Sequence, residues 1–235
     1  MALMIRLGFW QLDRLAQRQA LNAQATAQWH AAPLATLNLT GLGETDLSGL
    51  QYRAVVLRGR FDFSQQIALN NQEWQGHPGA HLITPFLLDE NKQAVLIDRG
   101  WIPYEQADPS QWQQFAEAET AAVRGRILLA QASPLGAPAS TTRQATWFRV
   151  DIAGIQKQIS YPLQPVYVQA SPDGAVKQLP YRSDVTLDLS EGPHMGYAIT
   201  WFSFTATLGI GSLGYVISKR WRPSHARQAA RTVRS

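Results

Sequence analysis

Hydrophobic and polar positions change rhythm three times along the chain. Residues 1–10, MALMIRLGFW, are apolar except for Arg6, and run into QLDRLAQRQALNAQATAQW, a stretch of strong helix formers without Gly or Pro. This pattern predicts one helix. Its first ten residues are too short to span a bilayer or to serve as a signal peptide, so they read as the end of a first membrane helix or as an amphipathic surface helix. Residues 32–49 are polar with Pro and Gly and read as a connection. Strand signals follow. Residues 52–63 (YRAVVLRGRFDF) are β-branched and aromatic, with Gly59 marking a bulge or bend. Further strands are expected at 66–70, 81–88, 94–97, 123–129, 146–150, 164–170 and 176–179, with a short helix over 152–159. The loop DENKQ joins two of the strands, SPDG makes a turn at 171–174, and residues 133–142 form a loop. Seven or eight short strands predict a mainly antiparallel, barrel-like domain. In the last rhythm, residues 195–217 (MGYAITWFSFTATLGIGSLGYVI) contain no charge.

Those 23 residues would extend roughly 34 Å as a helix, enough for a hydrocarbon core of about 30 Å. Tyr197, Trp201 and Phe202 lie at one end, Tyr215 and Trp221 at the other, as in interfacial belts. Gly196, Thr200, Ser203, Thr207, Gly211, Gly214 and Ser218 recur every three or four residues, a small-residue stripe suited to a second helix. The expected fold is thus α+β and membrane-anchored. Its parts are 1–31, the end of a first membrane helix with its extension; 32–193, the extracytoplasmic β domain; 194–218, the transmembrane helix; and 219–235, a basic tail.

Charge supports this arrangement. The chain of 235 residues carries a net +4, which alone would hint at a polyanion. Yet Lys219, Arg220, Arg222, Arg227, Arg231 and Arg234 all fall in the last 17 residues, leaving 15 basic against 17 acidic residues elsewhere. The basicity is a tail beside a membrane helix and not a nucleic-acid surface. The positive-inside rule then puts the C-terminus in the cytoplasm and the main domain outside the cell membrane. With no Cys, disulfides, thiolate zinc sites and Cys-based redox centres are excluded, and with only three Met a copper-chaperone reading loses its soft ligands.

Candidate chemistry is sparse. No nucleophile elbow, phosphate loop or HExxH motif is present, and the chain reads as a non-enzyme. His77 and His81 (HPGAH) flank Pro78 and Gly79, which oppose a helical metal site. His30 and His225 have no evident partner ligand. Asp98 and Arg99 are adjacent and could pair. His194 differs by position, at the outer end of the apolar helix, with Pro193 before it and Trp201 two turns on along the same face. An imidazole there, above an aromatic wall, suits a ligand with a polar edge and an apolar body, such as haem. A histidine that only hydrogen-bonds at a helix start accounts for the same pattern.

Six segments in order resemble the Surfeit-locus family of cytochrome oxidase assembly factors. They are LGFWQLDR (7–14), YRAVVLRGRF (52–61), GAHLITPFLL (79–88), VLIDRGWIP (95–103), VRGRI (123–127) and HMGYAITWF (194–202). The resemblance implies two membrane helices flanking an extracytoplasmic domain. It further implies a role in maturing subunit I of haem–copper cytochrome c oxidase, together with the haem a synthesis machinery and with haem a as the cargo. On that basis His194 is the expected ligand to haem iron and Trp201 part of the cofactor-binding wall. Residue 195 is Met where Leu is more usual. A cofactor-free membrane scaffold for the same oxidase intermediate is the alternative. Arg14 and Arg18 could meet haem propionates or lipid phosphates, and Gly100-Trp101 should form a tight turn carrying a core aromatic.

Overall fold

A computed structural model of the chain describes residues 1–39, 41–90, 92–130, 143–172 and 178–221. The loop expected at 133–142, the Asp173-Gly174 part of the turn and most of the basic tail, with His225, Arg222, Arg227, Arg231 and Arg234, lie outside the described residues. The chain forms two compact units. One is Gln24–Asp188; the other joins Met1–Ala23 to the chain from Leu189 onward.

The Gln24–Asp188 unit is built on seven strands among the described residues. They are β1 (Ala54–Phe61), β2 (Ile67–Trp74), β3 (His77–Leu88), β4 (Ala94–Pro103), β5 (Thr120–Leu129), β6 (Thr146–Trp147) and β7 (Leu163–Ala170). Their order is β1-β5-β7-β4-β3-β2-β6, and β1 also pairs with β3, which closes five strands into a barrel. Gly59 permits that closure. A Cβ there would collide with the backbone carbonyl of Leu87 on β3, so only glycine lets β1 cross from β5 to β3. Most neighbours are antiparallel, but β4–β7 and β2–β6 run parallel. Parallel neighbours need a crossover, and β5, β6 and the short helix α3 (Ile152–Gln156; α2 is Glu44–Ser48) occupy the chain between β4 and β7.

Alternation along the strands fills the interior. In β7 every second residue, Gln164, Val166, Val168 and Ala170, is buried. These meet Leu57, Phe86, Val95, Ile97 and Ile127 inside the barrel. Leu37 and Leu39, from the stretch read as a polar connection, also enter this core, and Gln164 secures them. Its side chain donates to Leu37 O at 3.1 Å and accepts from Leu39 N at 3.2 Å. The outer face of β3 and β4 is covered by a second cluster in which Ile83 and Leu96 meet Ile152 and Ile155 of α3. Strand β4 is therefore buried on both sides.

Several expected boundaries shift. Gly100 and Trp101 do not form a turn after a strand; they lie within β4, where Gly100 takes φ 119° and Trp101, buried, stacks on Tyr181 with centroids 6.1 Å apart. The HPGAH segment opens β3. Of the strand expected at 176–179, Gln178 and Leu179 are not extended into a ladder, and a single bridge pairs Trp101 with Tyr181 instead. Asp98 and Arg99 do not pair with each other, because successive strand residues face opposite ways. Asp98 lies 2.8 Å from His81 Nδ1, whereas Arg99 points inward to Glu117.

Helix α1 (Ala2–His30) is continuous across the expected apolar start and polar extension, and Pro33 follows its end. A cation from the barrel meets one of its last carbonyls. Arg126 stacks on Trp29 at 3.5 Å and donates to Trp29 O, while Arg53 donates to the Gln28 side-chain Oε1 and to Ala32 O just past the helix end. Helix α4 (His194–Arg220) has 27 residues. Among the described residues no helix is long and apolar enough to cross a membrane. Length is not what α4 lacks; the glycines, serines and threonines spaced along it dilute its apolarity.

Candidate functional site: a helix pair around His194

In the unit that holds both chain ends, the start of α1 lies antiparallel against α4. Gly8 sits under Phe202, and a Cβ on residue 8 would come within 2.7 Å of that ring. Phe9 meets Phe202 edge-on at 5.4 Å. The buried positions of α1 are Gly8, Gln11 and Leu15, three and four residues apart, which makes one narrow contact stripe. On α4 the facing positions include His194, Ala198, Trp201 and Phe202, of which Ala198 is fully buried and the others half-buried. At the open end of the pair, Arg18 donates to Ser190 O at 2.9 Å, Gln19 to Glu191 and Asn22 to Leu189 O at 2.7 Å.

The small-residue stripe does not make this contact. Gly196, Thr200, Ser203, Thr207, Gly211, Gly214 and Ser218 are all exposed, and α1 packs on the neighbouring face. Aromatic size decides the matter: Phe202 fills the space that Gly8 vacates on α1, so the glycine needed for close approach sits on the other helix. Three of the stripe's hydroxyls turn back on their own helix, with Thr200 donating to Gly196 O, Thr207 to Ser203 O and Ser218 to Tyr215 O, and the off-stripe Thr205 does the same to Trp201 O.

His194 is the first residue of α4, just after Pro193 at the cap. Its Nδ1 lies 2.8 Å from Gln11 Oε1. The edge of the ring that carries Cδ2 and Nε2 faces Gly192, where a Cβ would stand 3.5 Å from both atoms. Trp201 follows on the same half-buried face, about 10 Å further along the axis, and meets Phe204 edge-on at 6.3 Å. The two residues singled out in the sequence therefore share a face. Gln11 was not singled out, although it is the one amide on an otherwise apolar stripe of α1, and that anomaly was readable in LGFWQLDR. Arg14 stacks over Trp10 at 5.4 Å and donates to Gln17. Arg18 is spent in part on Ser190.

The donor set fits a haem better than a chelated ion. Among the described residues no group of three or more His, Asp or Glu is placed to hold a metal. A single imidazole whose Nδ1 is tied to a second residue could offer its other nitrogen to haem iron.

Comparison with known proteins decides the family. The family model described as "SURF1 family" matches residues 1–206, which includes both helices' contact stripe and the whole barrel. The chain belongs to the SURF1 family. A SURF1-like protein of Monosiga brevicollis is 25% identical over 214 residues, covering 85% of this chain and 78% of that protein. The SURF1-like protein of Caenorhabditis elegans is 28% identical over 154 residues, 63% of this chain but only 46% of its own length. Surfeit locus protein 1 of Gallus gallus is 25% identical over 215 residues, covering 85% of this chain and 67% of that protein. The chain thus spans about half of the nematode relative and between two thirds and four fifths of the other two.

Two polar clusters lie elsewhere, in the barrel unit. Arg99, with no exposed surface, donates to Gln66 Oε1 at 2.8 Å, to Glu117 Oε1 at 3.0 Å and to Phe115 O, and stacks over Phe61 and Phe63. Burial pulls its pKa down despite the Glu117 charge. Arg182 reaches the same carboxylate at 2.6 Å. Burial alone would raise the pKa of Glu117, but the two guanidiniums hold it below the usual carboxylate range. A cavity of about 270 Å³ borders Glu117 and Arg182, whose charges already face each other. His81 and Asp98 form the second cluster. Burial opposes the imidazolium there, yet the Asp98 charge and hydrogen bond override it and raise the His81 pKa. The His81–Asp98 contact ties β3 to β4, and Arg99 ties β4 to the segment that precedes β5.

Proposed function

We propose that this SURF1-family chain is a non-enzymatic assembly factor for haem–copper cytochrome c oxidase that takes haem a on His194 at a membrane interface and assists its insertion into subunit I. Family membership supports the oxidase role. The observation that carries the haem reading is the half-buried His194 ring at the start of α4, with Nδ1 held by Gln11 and Nε2 on the side of Gly192.

Helix α4 holds the protein in the cell membrane on this reading. Its uncharged run from Met195 to Ile217 has the needed length. It also leaves Ile199, Phe204, Leu208, Ile210, Leu213 and Ile217 exposed, an apolar surface too large to be left in water. The basic tail then lies in the cytoplasm and the barrel outside, where it is placed to meet the extracytoplasmic face of subunit I. Bound haem supplies an iron that prefers imidazole and a macrocycle that prefers apolar surface. The chain supplies the imidazole, the aromatic residues Trp201 and Phe202 below it, and a closely packed helix pair that keeps them in place.

The test is co-expression with haem a synthesis, purification in detergent and an optical spectrum. A Soret band carried by the wild-type protein and lost in His194→Ala supports the reading. Colourless wild-type protein that still captures the oxidase intermediate favours a cofactor-free scaffold.

A further inference from the structure

Gln11 is the anomaly of the helix pair. It is 9% exposed, on a stripe whose other buried members are Gly8 and Leu15. A long polar side chain weakens such a contact unless its amide has a partner worth the burial. Its partner is His194, 183 positions away in sequence, through Oε1 to Nδ1 at 2.8 Å.

An amide oxygen only accepts, so Nδ1 has to carry the proton in this geometry. In a neutral imidazole that leaves the lone pair on Nε2, the nitrogen on the Gly192 side. With no acceptor at Nδ1, the proton would distribute between the two nitrogens, and a share of the molecules would offer iron an N–H instead of a lone pair. From this we infer that Gln11 is a positioning residue for haem capture: it selects the His194 tautomer and fixes the ring plane, and its acceptor strength tunes the electron density that Nε2 donates. The inference rests on His194 being the axial ligand. It adds a residue from the opposite end of the chain, so that α1 is part of the binding device as well as part of the anchor.

The experiment uses the full chain in detergent with histidine labelled by ¹⁵N, and haem a as the probe. In the haem-free protein the His194 resonances should show a protonated Nδ1 and an unprotonated Nε2. Gln11→Ala should give a mixture of tautomers and weaken haem a binding about 10- to 100-fold, the range typical of lost outer-shell partners. Gln11→Glu should keep the protonated Nδ1 and the affinity, and lower the midpoint potential of bound haem, because a carboxylate acceptor makes the imidazole a stronger donor. A purely structural amide would predict that Gln11→Glu behaves no better than Gln11→Ala, and that result overturns the proposal. So does a Gln11→Ala protein with the wild-type tautomer and affinity. If His194→Ala binds haem a as tightly as wild type, the ligand assignment itself fails, while the nitrogen resonances still report whether Gln11 sets the tautomer.

Discussion

Neutralising Glu117 should unfold the barrel more readily than removing either arginine's outer contacts. In Glu117→Gln the fully buried Arg99 keeps its charge but meets a neutral amide where the carboxylate stood at 3.0 Å, and Arg182 loses one of its two acceptors at 2.6 Å. Guanidinium does not discharge near neutral pH, so the cost is that of an uncompensated buried cation, about 3–5 kcal/mol. Arg99 retains Gln66 Oε1, Phe115 O and the faces of Phe61 and Phe63, which sets the expectation near the lower end, about 3 kcal/mol. Arg182→Ala leaves the Arg99–Glu117 pair intact and should cost about 1–2 kcal/mol. Urea unfolding of the full chain in detergent, followed by tryptophan fluorescence at pH 7, gives both values from midpoint shifts at common slope. The wild type carries an acid signature as well. Because the folded pKa of Glu117 is depressed, its contribution is complete above the ordinary 4.5 and is lost as pH falls through the lower folded value. Glu117→Gln should lack that limb. A Glu117→Gln midpoint within about 1 kcal/mol of wild type would refute the buried-cation reasoning.

The His81–Asp98 pair should act with the opposite sign. The folded pKa of His81 is raised above 6.5, so its stabilisation is complete below that value and fades as pH rises through the folded pKa; NMR titration of His81 should lose the upward shift in Asp98→Asn. Gly59→Val should prevent β1 from meeting β3 and cost about 3 kcal/mol or more, read as loss of cooperative unfolding of the barrel. Gly8→Leu should force Phe202 out of its seat and destabilise the helix pair by about 1–3 kcal/mol in a detergent melt, with the barrel transition unchanged.

Much of this architecture could be read from the residues, and the failures have physical causes. Strands β1, β5 and β7 alternate cleanly because one face meets the barrel interior. Strand β4 does not, being buried on both faces, and its pattern gave only 94–97 of what is Ala94–Pro103. Gly100-Trp101 looked like a turn because glycine commonly ends a strand; here the glycine bends β4 and the ladder continues past it. Asp98 and Arg99 looked like a pair because adjacency in sequence is easily mistaken for adjacency in space, while the pleat sends them to separate partners. That His194 and Trp201 share one helix face was legible from their spacing. Gln11 was readable as the one amide on an apolar stripe, but its partner was not, since that contact spans 183 residues and no local pattern announces it. The small-residue stripe on α4 was legible as a periodicity, but its residues are exposed and α1 packs on the neighbouring face.

The most direct measurement is an equilibrium titration of the purified full chain with haem a in detergent, comparing wild type with His194→Ala. A saturable complex for wild type, at least about tenfold weaker once the imidazole is gone, is the predicted outcome. Equal binding by the two proteins, with the helix pair shown intact by its melt, would contradict the assignment of His194 as the haem ligand.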